Sequence, residues 1–438
     1  MLPSGVQTVK RDVFLSMPDE LLSHLLLDWL DLKVIARLDS ANASHHSRTK
    51  FLSHISKASF VHDGYAFSSV DDPVTKQVRL IQWLVHRECR VRRVCLSVES
   101  EQNEELLTEF FRMSGPSLHN IEIKNQAYVP VGDLLWTLLL EHCHNLQELS
   151  VKECFPDNPD FVHELSIHCP CITKLTFFPH HGHSFTLRKD LHFTMLRCLD
   201  LTQAVKTGDL LAAIAQHSSR LEALELERSN DITPEQFQAV AVNCPLLLSV
   251  SLFEVMVSHE QLQPLFLNCK NLQVLVVVCP FYSFTDESLS CVAQNCVLLN
   301  KLHLHACLSI TDDGLGEVLK NCVDLRHLYI HSDILLTDAT LHSIARHCSN
   351  LTYLSMRGRF QYSHDSLSAI AHSCTKLQQV LISTGRRNLN LPLREIFEAH
   401  VELEFVVERV VRYDVEHSDE EHAKFAAEIL NHIGGGDY

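Results

Sequence analysis

Cysteine and histidine are the side chains whose abundance invites a chemical reading of this sequence, with 16 cysteines and 29 histidines in 438 residues. Thiolate and imidazole together build zinc sites, and a thiolate of low pKa is a nucleophile or a redox centre. Spacing argues against both. Half of the cysteines, Cys143, Cys169, Cys244, Cys269, Cys296, Cys322, Cys348 and Cys374, recur at one phase of a period of roughly 26 residues. A small apolar residue filling the same hole once per period behaves this way. The closest pair is Cys169 and Cys171, and no Cys-x-x-Cys occurs, so zinc-site spacings are missing. His303, His305, His327 and His331 also cluster in the periodic pattern, but no carboxylate or cysteine joins them to complete a ligand set. Catalytic motifs are missing as well: no phosphate-cradling glycine run, no Gly-x-Ser-x-Gly and no His-Glu-x-x-His. No catalytic residue, metal or cofactor is expected, and the chain reads as something other than an enzyme.

The elements that carry these residues follow from the period. The phrase Cys-x-x-Leu-x-x-Leu-x-Leu is clearest at Cys296, Leu299, Leu302 and Leu304 and returns at Cys322/Leu325/Leu328/Ile330, Cys348/Leu351/Leu354/Met356 and Cys374/Leu377/Val380/Ile382. Backward from there its first leucine falls at Leu272, Leu247, Leu221, Leu196, Ile172, Leu146, Leu118 and Val91. The Leu-x-Leu alternation marks a strand with one buried face, and the following residues, such as Leu315/Val318/Leu319, change to helical spacing. Hydroxyls at Thr233, Ser258, Thr285, Thr311 and Thr337 stand where helix N-caps are wanted, with acidic residues or glutamine behind them. About thirteen such units make a leucine-rich repeat. The expected fold is α/β, a horseshoe-shaped leucine-rich-repeat solenoid with a parallel concave β-sheet and outer helices, preceded by a small all-α module.

Alternation also assigns the residues between the buried leucines to the concave face. They form three zones there: acidic at Asp200/Glu225/Glu227, apolar at Phe253/Val274/Val276/Val278, and basic-aromatic at Lys301, His303, His305, His327, Tyr329, His331, Tyr353 and Arg357. Tyrosine and arginine are frequent interface anchors, so the last eight are the candidate substrate-binding residues. Arg357, Arg359, Arg386 and Arg387 would favour an acidic or phosphorylated segment. The competing reading is a solvated sheet with scattered polar side chains.

The formal charge of −17 argues against nucleic acid as a ligand, and no run of residues has the length and apolarity of a membrane span or secretion signal. Sixteen cysteines without a secretion signal point to the reducing cytoplasm or nucleus. The organisation expected is a disordered 1–13, a helical module over 14–57, a linker and N-terminal capping helix over 58–90, the solenoid over 91–410, and an acidic tail with a short helix over 411–438.

Within the N-terminal module, Met17-Pro18-Asp-Glu-Leu21-Leu22 opens an apolar helix that reaches Leu25, Trp29 and Leu30, and Ile35 and Leu38 begin a second. This run resembles an F-box, and with the cysteine-bearing repeats the chain is similar to the F-box and leucine-rich-repeat proteins. The resemblance implies a substrate-recognition subunit of an SCF-type ubiquitin ligase, a monomer within a hetero-complex. Pro18, Leu21, Leu25, Leu30, Ile35 and Leu38 would bind the adaptor that joins it to a cullin scaffold, and the repeats would hold a protein substrate. The alternative is a non-enzymatic interaction scaffold whose N-terminal helices only cap the solenoid.

Overall fold

A computed structural model describes residues 59–61, 73–97, 104–125, 132–154, 156, 158–178, 190–202, 207–229, 231–279, 283–332, 336–358, 362–382, 396–397 and 404–405. The expected disordered start, the 14–57 module with Pro18, Leu21, Leu25, Leu30, Ile35 and Leu38, the acidic tail, and Arg359, Arg386 and Arg387 lie outside these residues. The chain divides into two compact units, Met1–Met195 and Leu196–Tyr438.

In the first unit the strands β1 (Ser59–Val61), β2 (Arg90–Ser97), β3 (Asn120–Lys124), β4 (Glu148–Lys152) and β5 (Lys174–Phe178) pair in sequence order, all parallel. Helices Pro73–His86, Glu104–Ser114, Asp133–His142 and Phe161–His168 connect or follow them. The second unit repeats the scheme. Strands β6 (Cys198–Thr202), β7 (Ala223–Glu227), β8 (Ser249–Phe253), β9 (Val274–Val278), β10 (Lys301–His305), β11 (His327–Ser332), β12 (Tyr353–Gly358), β13 (Gln379–Ile382) and β14 (Glu404–Phe405) pair in parallel and in order. Helices alternate with most of them, from Thr207–Ala215 to His364–Ser373. Each unit is thus a leucine-rich-repeat solenoid. Among the described residues no helix is long and apolar enough to cross a membrane.

The period read from the sequence is the period of the core. Val91, Leu118, Leu146, Ile172, Leu196, Leu221, Leu247, Leu272, Leu299, Leu325, Leu351 and Leu377 are all buried, as are the strand residues Leu302, Leu304, Leu328, Ile330, Leu354 and Met356. The phased cysteines sit beside them. Each ends a helix: the backbone N–H of Cys322 donates to Val318 O at 2.8 Å, and Cys322 O accepts from Leu325 N at 3.2 Å. The thiol then reaches the preceding repeat, as Cys322 Sγ to Cys296 O at 3.6 Å and Cys374 Sγ to Cys348 O at 3.4 Å. A weak donor therefore meets a helix C-terminal carbonyl that has no partner within its own helix. Where cysteine is missing from this position, buried Phe193, Ser218 and Gly115 take its place, and before Val91 the exposed Glu88 does. At Gly115 a side chain would strike His142 Cβ at 2.6 Å.

At the opposite helix ends a chain of carboxylates links one repeat to the next. Asp286, the first residue of its helix, accepts Thr311 N at 2.9 Å and Thr311 Oγ1 at 2.6 Å, and Thr311 caps the following helix by accepting Asp313 N at 3.2 Å. Asp312 in turn accepts Thr337 N at 3.0 Å, Thr337 Oγ1 at 2.8 Å and the Thr340 hydroxyl. Asp338 accepts Ser363 N at 2.9 Å and Ser366 Oγ at 2.6 Å. Each carboxylate faces the positive end of its own helix while fixing the cap of its neighbour. Burial alone would raise the pKa values of Asp312 and Asp338, but the donated hydrogen bonds more than offset it and hold both below the usual carboxylate range.

Of the expected caps, Thr233 forms the full reciprocal box with Gln236, at 2.8 and 3.4 Å. Thr285 occupies the N-cap position without a side-chain cap bond. The reason lies one repeat earlier, where His259 opens the helix in place of the aspartate that holds Thr311 and Thr337, and its Nδ1 meets Ser288 Oγ at 3.5 Å.

This arrangement separates two glycines in one helix. A Cβ at Gly314 would run into the Asp286 carboxylate, which Thr311 holds in place, whereas at Gly316 the nearest atom is Ser343 Oγ at 3.8 Å. Gly314→Ala should destabilise the protein by about 1–3 kcal/mol, while Gly316→Ala should stabilise it by up to about 1 kcal/mol through helix propensity. Urea unfolding of both variants checks this, and equal effects of the same sign would remove the carboxylate link as the reason for Gly314.

Candidate functional site

The eight residues of the basic-aromatic zone come from three adjacent strands of the second unit. Parallel pairing aligns Lys301 with His327 and Tyr353, His303 with Tyr329 and Ser355, and His305 with His331 and Arg357. These side chains share the sheet face turned away from the helices, because Leu302, Leu304, Leu328 and Ile330 alternate with them on the buried side. A strand spacing of about 4.8 Å puts planar rings at like positions into contact. His303 and Tyr329 have centroids 3.9 Å apart, His305 and His331 4.4 Å, and His327 and Tyr353 6.0 Å with planes 29° apart. Tyr329 meets His331 edge-on at 6.3 Å. The sequence placed all eight on one surface, and the structure brings them together.

Their exposure differs from the expectation of an open surface. His303 is 3% exposed, and Lys301, His305, His327, Tyr329, His331, Tyr353 and Arg357 are half-buried. The neighbouring apolar zone is buried outright: Phe253, Val274, Val276 and Val278 form a cluster in which Val276 is 1% exposed. Alternation gave the direction of each side chain but not its cover. His303 lies between the Val276 and Tyr329 positions, so bulky neighbours on both flanks take up surface that a strand flanked by small residues would leave to water. The zone is therefore a ring stack against an apolar wall, with its charge at Lys301 and Arg357. Ser355, aligned with Tyr329, contributes a fully buried hydroxyl with no hydrogen-bond partner among the described residues.

The acidic zone is in register too, Asp200 beside Glu225 and Glu227 beside Phe253. Sequence reasoning missed the residues that organise it. Arg228 and Glu254 follow the ends of β7 and β8 with φ of 50° and 51°, the left-handed region that non-glycine residues seldom enter. In that conformation Arg228 N–H donates to Phe253 O at 2.8 Å, and the guanidinium binds Glu254 at 2.6 Å and approaches Glu227 at 3.8 Å. Glu153 and Ala306 repeat the conformation after β4 and β10. A fourth column, one residue past each strand, was the available signal.

The thiols present a different chemistry from that of a metal or redox centre. Burial pushes Cys322 and Cys374 up to about 11, and Cys244, Cys269 and Cys348 to about 12. At physiological pH such a thiol is held neutral, and the thiolate is the nucleophilic form. Among the described residues no group of three or more His, Cys, Asp or Glu side chains is arranged to hold a metal ion.

No family model matches the chain. Solved structures to which it is similar include the yeast Rad7–Elc1 complex, at 15% identity and a TM-score of 0.46, covering 86% of this chain and 98% of that one. A chain of the TLR13–ssRNA13 complex gives 16% and 0.48, covering 77% and 48%. A leucine-rich-repeat protein of Leptospira interrogans gives 12% and 0.44, covering 82% and 98%.

A chromogenic thiol reagent at neutral pH should react quickly with Cys171, the exposed cysteine among the sixteen, and Cys171→Ser should abolish that phase. The phased cysteines should respond only on unfolding. Rapid modification of several of them in the native protein, or stoichiometric zinc by elemental analysis, would return them to chemistry.

Proposed function

We propose that this chain is the substrate-recognition subunit of an SCF-type ubiquitin ligase. Residues 14–57, through Pro18, Leu21, Leu25, Leu30, Ile35 and Leu38, bind the adaptor that connects the chain to a cullin. The sheet face over β10, β11 and β12 binds a protein substrate whose lysines are modified by an enzyme held elsewhere in the complex. The chain itself does no chemistry and needs no cofactor, consistent with buried neutral thiols and the lack of catalytic motifs.

The observation that carries the reading is the ring stack. Tyr329 and Tyr353 are half-buried, in ring contact with His331 and His327 respectively and mounted on a parallel sheet, so they are rigid before any partner arrives. Pre-positioned aromatic side chains lose little conformational freedom on binding, and Arg357 at the edge of the stack adds a planar donor for a carboxylate or phosphate. The sequence resemblance at Met17–Leu22 supplies the adaptor half of the proposal. The burial of His303 and of the Phe253–Val278 cluster favours the second reading, a scaffold in which part of this face serves packing.

Affinity purification of the tagged protein from its own cells, followed by mass spectrometry, should recover the adaptor, a cullin and a reproducible set of further proteins. Replacing Tyr329 and Arg357 together by alanine should weaken capture of the further proteins by about 2–4 kcal/mol while leaving adaptor recovery intact. Unchanged capture with lowered stability would assign the stack to packing and leave the scaffold reading.

A further inference from the structure

We infer that the first unit carries a second interaction surface, an arginine patch at the start of its sheet that binds an acidic peptide segment of a partner protein. Between Arg79 and Arg93 the chain holds five arginines and one acidic residue, Glu88, although the protein as a whole carries −17. Arg79, Arg90, Arg92 and Arg93 are exposed. Two consecutive exposed residues are unusual in a strand with one buried face, since successive side chains point to opposite sides. The repeat phrase allows it, because Val91-Arg92-Arg93-Val94 sets two residues between buried ones, as Leu299-Asn300-Lys301-Leu302 does. On the other edge Phe60 pairs with Val91 and Val61 with Arg93, so the β1 pairing skips Arg92. Its carbonyl accepts His119 N at 2.8 Å, as Gln273 O accepts Asn300 N in the second unit, while Val91 and Val94 on either side of the arginine pair stay buried.

The patch continues along the sheet. Arg93 begins the row of Asn120 and Glu148 on the outward face, and two residues along β3 Glu122 is engaged by both Lys124 and Lys152 at 3.1 Å. Those two lysines hold the carboxylate below its ordinary pKa against the opposing effect of burial, so it stays ionised and spoken for. Arginine at every basic position from 79 to 93 suits planar, bidentate recognition of carboxylates or phosphates. Among polyanions, a short acidic peptide fits best. It would touch only the patch, whereas a long nucleic acid or an anionic membrane would also meet the field of a strongly acidic chain.

Fluorescence anisotropy with the full chain and a labelled oligoglutamate of about ten residues, roughly 33 Å when extended, tests this. Binding is expected, it should vanish near 1 M salt, where the Debye length is about 3 Å, and Arg90→Glu with Arg92→Glu should weaken it about tenfold or more. The milder Arg90→Gln with Arg92→Gln should weaken it less and settles the matter should the charge reversal impair folding. Lys270→Glu, an exposed reversal in the second unit, should bind as the unaltered protein does. Failure of the oligoglutamate to bind, or an equal loss in Lys270→Glu, would overturn the patch as a site. Tighter arginine-dependent binding of single-stranded DNA or of phosphatidylserine vesicles at the same ionic strength would overturn the acidic peptide as its ligand.

Discussion

The stacking of each repeat on the one before it is the constraint from which the other features follow. A unit of one short strand and one short helix has too little interior to bury its own leucines, and both ends of its helix leave backbone groups without intrahelical partners. The neighbour answers both needs at fixed positions. At the helix C-terminus a buried residue three before the first leucine fills a closed hole in most repeats, and six of the eight cysteines there direct the thiol to a carbonyl of the previous repeat. At the N-terminus an aspartate at the first helical position receives the backbone N–H and hydroxyl that cap the next helix. The leucines set the period, and these two sets of polar contacts set the registration between periods.

Registration then determines what the outer face of the sheet can do. Because strands pair in parallel with like positions opposite one another, a residue type repeated at one position becomes a continuous stripe. Histidine and tyrosine at three successive repeats become a ring stack, and valines at the preceding strand become a wall beside it. In the first unit the two positions between buried Val91 and Val94 both hold arginine. Each surface derives its chemistry from side chains that the solenoid holds in place.

Much of this was legible in the sequence because leucine spacing and side-chain alternation are local signals. The repeat period, the buried leucines, the burial of the phased cysteines and the co-location of Lys301, His303, His305, His327, Tyr329, His331, Tyr353 and Arg357 were all readable from the pattern. Exposure was not, because the cover over a strand residue depends on what flanks it in two other repeats: His303 and Val276 were placed on the right face and are buried on it. The left-handed corner at Arg228 and Glu254 escaped because glycine, the usual sign of that conformation, is missing there. Phe193 and Ser218 at the cysteine position show why the phase was visible only in part. The hole tolerates several volumes, so the residue type varies where the geometry does not.

The proposed function joins a substrate-binding sheet face to an adaptor-binding segment at residues 14–57. The most direct measurement is size-exclusion chromatography with light scattering on the purified full chain mixed with the purified SCF adaptor. A stable one-to-one complex is expected, lost when Leu21 and Leu25 are both replaced by glutamate and retained when the histidine–tyrosine face is altered. Separate elution of the two proteins at concentrations well above the micromolar range, with the chain folded, would contradict it and leave the N-terminal residues the role of a cap.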